Sequence, residues 1–128
     1  MDRIFYTRTF GRWLQKSGLS NSALGKALEE MASGLVDADL GGNLYKKRVA
    51  LPGQGKRGGS RIIVASKMDG KWFLLYGFAK NEQGNITATE TRALKMLASD
   101  FLLLNEIQLT LVLQAGELIE VNHETKEK

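Results

Sequence analysis

The chain has 128 residues, 43% hydrophobic and 25% charged, a composition expected of one folded domain with its own core rather than of a disordered chain. It has no cysteine, which excludes disulfides, thiolate metal sites and cysteine nucleophiles. Its only histidine, His123, lies in the polar stretch 122–128, which argues against histidine-centred catalysis and multi-histidine metal sites. The formal charge of +4 is unevenly placed: residues 44–80 hold nine basic side chains against one acid, Asp69, for +8, while nine bases and thirteen acids elsewhere sum to −4. Such segregation is the electrostatic footprint expected for a phosphate-rich partner. The apolar run 101–104 is far shorter than a membrane span. The first residues, with Asp2 and Arg3, lack an apolar run of signal-peptide length, so a reducing cytoplasm is the expected compartment.

Residues 3–6 read as a first strand. Thr7 is placed to cap a helix with Phe10, Trp13 and Leu14 on one face, ended by Gly18. Ser20 then reads as the N-cap of a second helix, with Leu19 and Leu24 as a hydrophobic staple. Its buried stripe is Leu24, Ala27, Leu28 and Met31, and Gly34 ends it, so the two helices form an αα-hairpin. Residues 34–43 read as a loop. In the strand 44–51, Tyr45, Val49 and Leu51 share one face, and Lys46 and Arg48 the other. A glycine-rich stretch leads into 61–66, a β-branched central strand. Met68-Asp69-Gly70 supplies turn chemistry before the aromatic strand 71–79. Thr87 and Glu90 form a capping box for a helix whose core face is Leu94, Leu97, Ala98, Phe101 and Leu102. Asn105 with Gln108 starts a short further helix, stapled by Leu104 and Leu109 and ended by Gly116, before a last short strand at 117–121. This order predicts an α+β domain: a small, largely antiparallel sheet with two N-terminal helices and the C-terminal helices packed on it. Residues 1–121 are expected to be a single domain, with 122–128 a polar tail.

Gly53-Gln54-Gly55-Lys56-Arg57-Gly58 matches the dinucleotide pattern GxGxxG letter for letter. It runs into a strand, however, instead of opening a helix in a βαβ unit, so that reading is rejected. Its glycines suit close approach of backbone amides to an anion, and with Lys56 and Arg57 at its centre phosphate contact is favoured over a merely solvated loop. Lys46, Arg48 and Arg61 are the next candidates. Like charges side by side cost free energy unless a counter-charge lies between them, and with so few acids in this region an external phosphate is the economical one. The alternative is a solvated face of screened charges. Lys67 and Lys71 flank the turn and read as solubilising. After the aromatic strand, Lys80 is a further donor, and Glu82 is either a proton acceptor or a group that orients Lys80. The plain alternative there is a weak strand-end charge pair. Trp72, Phe73 and Phe78 read as core rather than as base-stacking platforms.

Three blocks, Leu44-Tyr-Lys-Lys-Arg-Val-Ala50, Gly55-Lys-Arg-Gly-Gly-Ser-Arg61 with Ile62-Ile-Val64, and Tyr76-Gly-Phe-Ala-Lys-Asn-Glu82, resemble the RelE branch of the RelE/ParE toxin superfamily, more narrowly its HigB-like members. The resemblance extends over about residues 3–121. It implies the microbial-ribonuclease-like RelE fold and the toxin of a type II toxin–antitoxin system. Such a toxin is an endoribonuclease (an mRNA interferase) that enters the ribosomal A site on the small subunit, cuts messenger RNA there and inhibits translation. A cognate helix-turn-helix antitoxin holds it inactive. By position, Lys46, Arg48, Lys56, Arg57, Arg61 and Lys80 would line the RNA site, and Arg61 and Lys80 match the positions tied most closely to cleavage. Attack by a 2′-hydroxyl needs a base, stabilisation of a pentavalent phosphate and protonation of the leaving oxygen. An arginine fork suits the second task. The base would be a lysine with a lowered pKa, Lys56 or Lys46, or else Glu82. No metal, cofactor or membrane is implied. The segment after Glu82 enters a helix directly, without the C-terminal aromatic or arginine that several family members use. Two other readings share the charge pattern: a ParE-like inhibitor of DNA gyrase that acts by binding alone, and an RNA-binding module without catalysis.

Overall fold

A computed structural model of the chain describes residues 2–51 and 59–121. In chain order the elements are β1 (Arg3–Thr7), α1 (Arg8–Ser17), α2 (Asn21–Ala32), β2 (Ala38–Gly41), β3 (Leu44–Val49), β4 (Ser60–Ala65), β5 (Lys71–Ala79), α3 (Ala88–Leu102), α4 (Glu106–Gln114) and β6 (Leu118–Glu120). The predicted α+β architecture is therefore present. The six strands form one sheet in the order β2-β3-β4-β5-β1-β6, antiparallel throughout except where β1 runs parallel to β5.

The helix boundaries follow the local signals. Thr7 Oγ1 accepts the Phe10 N–H at 3.1 Å, and Gly18 leaves α1 with φ 76°. Ser20 caps α2, and Leu24, Ala27, Leu28 and Met31 are all buried. Both expected capping boxes close, Thr87 with Glu90 and Asn105 with Gln108. The break at Leu103–Asn105 turns α4 by 116° from α3, and among the described residues no single helix is long and apolar enough to cross a membrane.

Two cores lie on opposite faces of the sheet. The α1–α2 hairpin covers one, where Phe10, Leu19, Leu24, Leu28 and Met31 meet Ile4, Val49, Ile62, Val64, Trp72 and Leu74. Helices α3 and α4 cover the other, where Leu94, Ala98 and Leu109 meet Phe5, Leu44, Ile63, Phe73 and Leu75. Strand β4, in the middle, is buried at all six positions, which is why its sequence is nearly continuous in apolar residues.

The segment 34–43, expected to be a loop, instead contains β2. It forms a hairpin with β3, with Ala38 opposite Lys46, and Gly41, Gly42 and Asn43 turn the chain at positive φ. Its alternate residues are only half-buried at a sheet edge, so it carries little hydrophobic signature. A second departure lies in β5. Ile63 pairs with Tyr76, but its neighbour Val64 pairs with Leu74, so the register shifts by one residue at Leu75. The shift moves Tyr76 and Phe78 onto the α3–α4 face, beside Phe73 and Leu75, and turns Gly77 toward α1.

Candidate functional site

The β3–β4–β5 register builds the site. Arg48 lies directly opposite Arg61, and Arg61 lies opposite Phe78. Two residues along the same face, Lys46 lies opposite Ile63 and Ile63 opposite Tyr76. Cross-strand partners project to the same side, so Lys46, Arg48, Arg61, Tyr76 and Phe78 share one face. Three cations thus stand close together on a rigid sheet.

Their environments differ. The Arg48 side chain is half exposed, whereas Arg61 is 6% exposed, and its Nη1 donates to the Ser60 carbonyl at 3.1 Å. Burial, and then the Arg48 charge, pull the Arg61 pKa below its ordinary value, while Asp37 opposes them. An arginine nonetheless stays charged, so the pair presents two guanidinium groups. The partly compensating carboxylate comes from outside the basic segment: Asp37 accepts the Arg48 backbone N–H, and its Oδ1 lies 3.3 Å from Arg48 Nε. The sequence reading missed Asp37 because it falls in the stretch taken for a loop.

Not every base in the segment contributes to this face. Lys47 points the other way, is 6% exposed, and pairs with Glu30 of α2 at 2.8 Å. Lys71 pairs with Glu106 at 2.8 Å, at the other end of β5.

Lys80 follows β5 at the same end as Arg61, since its backbone N–H donates to the Gly59 carbonyl at 3.0 Å. Its Nζ donates to the Gly84 carbonyl at 3.2 Å, and Lys46 Nζ donates to Asn85 Oδ1 at the same distance. Glu82 is exposed in the turn after β5, and among the described residues no salt bridge joins it to Lys80. Lys56 and Arg57 lie outside the described residues. Val49 pairs with Ser60 just beyond the Arg48–Arg61 pair. Gly59 is pressed against the outgoing strand, where an added Cβ would stand 2.6 Å from the Val49 carbonyl oxygen. Trp72, Phe73 and Phe78 are core residues, 2%, 2% and 4% exposed, as expected.

Tyr76 is the further polar group on this face. Its hydroxyl donates to Gln83 Oε1 at 3.0 Å and lies 3.4 Å from Glu90 Oε2. Burial, then the Glu90 charge, raise its pKa, so it is a protonated phenol at neutral pH. No spacing in the sequence marks Tyr76, Gln83, Asn85 and Glu90 as neighbours.

Fold and charge together define a class: a small α+β protein, its sheet covered by helices on both faces, with a cationic cluster at one end that suits a polyanion. The chain belongs to the RelE toxin family, whose model, described as the RelE toxin of the RelE/RelB toxin–antitoxin system, matches residues 2–121. Membership makes it the toxin of a toxin–antitoxin pair, with an antitoxin as partner. No curated protein gives a significant sequence match.

Proposed function

We propose that this toxin is a ribosome-dependent endoribonuclease that cleaves messenger RNA in the A site and so blocks translation, as in HigB-like systems, with a helix-turn-helix antitoxin as its inhibitor. The observation that carries the reading is the Arg48–Arg61 cross-strand pair, with Lys46 beside it on the same face and Asp37 paired to Arg48. Like charges directly opposed are disfavoured unless an anion lies between them, and a bound phosphodiester meets that need.

In the proposed step a 2′-hydroxyl oxygen attacks the adjacent phosphorus, its proton passes to a base, the bond to the 5′-oxygen breaks, and that oxygen takes up a proton. The products are a 2′,3′-cyclic phosphate and a free 5′-hydroxyl. Arg61 and Arg48 stabilise charge on the equatorial oxygens, donating in the directions that developing charge requires. Lys80, Lys46, Lys56 and Arg57 bind flanking phosphates. The proton acceptor is drawn from Lys46, Lys56 and Glu82.

The test is translation of a defined messenger RNA by purified ribosomes, with and without the toxin, followed by primer extension. New 3′ ends within A-site codons that require ribosomes are expected. Intact message with unaffected translation would overturn the reading and turn attention to gyrase inhibition or to RNA binding alone.

A further inference from the structure

Gln83, Gly84 and Asn85 are consecutive residues in the connection between β5 and α3, where no strand or helix holds the backbone. This connection carries both acceptors that hold the candidate lysines, the Gly84 carbonyl for Lys80 and Asn85 Oδ1 for Lys46. Gln83 fastens it to its surroundings. Its Nε2 donates to the Asn85 carbonyl and to Glu90 Oε1, each at 3.0 Å, and its Oε1 accepts from the Tyr76 hydroxyl. Glu90 is itself anchored, because its Oε1 also accepts the Thr87 N–H at 2.8 Å in the α3 capping box. One side-chain amide therefore joins β5, the connection and α3.

From this geometry we infer that Gln83 is a positioning residue: it sets the connection so that Lys46 and Lys80 are held ready for phosphates flanking the Arg48–Arg61 pair. The inference rests on the endonuclease reading for the identity of the ligand. The side chain must be an amide, since it faces a carboxylate and a carbonyl with its donor and a phenol with its acceptor; the reverse orientation would set its oxygen against two acceptors. Burial and Glu90 keep the phenol protonated and so able to donate. An ammonium held by a single acceptor retains two further N–H donors for a phosphate, so the hold orients each lysine without occupying it. Precise placement matters because displacement of about 1 Å in such a group can cost up to about a hundredfold in rate.

Gln83→Met removes the hydrogen bonds without adding charge, and Gln83→Glu keeps the acceptor for Tyr76 but sets a carboxylate against the Asn85 carbonyl and Glu90. In the ribosome assay Gln83→Met should lower kcat about tenfold or more with little change in KM for ribosomes. Gln83→Glu should lose at least as much. Hydrogen exchange should quicken in residues 80–87 of Gln83→Met but not in β3 or β4. Wild-type kcat in Gln83→Met would overturn the inference, as would wild-type kcat in Gln83→Glu. If wild type itself does not cut, the endonuclease reading fails separately. Binding of inorganic phosphate then decides the positioning role: weaker binding by Gln83→Met upholds it, and equal binding with unchanged exchange in 80–87 overturns it.

Discussion

Arg48 and Arg61 are the same residue type in different physical positions. The Arg48 side chain is 50% exposed and shares its charge with Asp37, whereas Arg61 is buried against the sheet with its orientation set by the Ser60 carbonyl. Arg48 is therefore suited to recruiting a polyanion and Arg61 to reading its geometry. Arg48→Ala should reduce the slope of log affinity against log salt for single-stranded RNA by about 0.7, the value of one phosphate contact; filter binding over a salt series measures it. Arg61→Lys keeps the charge but loses the planar fork. It should leave that slope nearly unchanged while ribosome-dependent cleavage falls about a hundredfold or more, the effect of losing one charge-stabilising donor. Circular dichroism checks that the fold persists.

Helix α3 shows how an element can serve the site through its end. Its capping box is closed by Glu90, whose carboxylate also accepts from Gln83. The bond from the Thr87 backbone N–H is the largest influence holding the Glu90 pKa below the ordinary carboxylate range. A group with a depressed folded pKa adds stability above its unfolded pKa and loses it as pH falls through the folded value. Wild type should therefore lose stability as pH drops below about 4.3, the ordinary glutamate value. Glu90→Gln, which keeps an acceptor for the cap, should show a smaller acid-induced fall in Tm. Thermal melts over a pH series decide this, and a variant with the same acid sensitivity as wild type would rule out Glu90 as a contributor.

For the whole molecule, the decisive feature is that helices cover both faces of one sheet and the β5 register shift divides the aromatic strand between them. Trp13 of α1 packs directly against Gly77, where an added Cβ would be 2.3 Å from Trp13 Cε3. Gly77→Ala should push Trp13 off the sheet and destabilise the fold by about 1–3 kcal/mol, seen as a lower urea midpoint. The cationic face lies on the opposite side of the sheet, so cleavage by the folded variant should persist.

The helices, their caps, the α+β class and the division of Lys46 and Arg48 from Tyr45 and Val49 were determined by the sequence by itself. Each of these depends on residues within a turn of helix or a few positions of strand, where side-chain chemistry and backbone geometry are local. The three family blocks were legible for the same reason, as short continuous runs. Only the tertiary structure decided that Arg48 faces Arg61, that Asp37 supplies the internal counter-charge, and that Lys47 is turned away to pair with Glu30. It also decided that β2 forms at all and that Tyr76 and Phe78 belong to the site face. Strand register is a property of two segments and of the cores on both sides of them. A one-residue shift at Leu75 reverses the faces of the residues that follow, and the alternation of β5 read alone carries no sign of it.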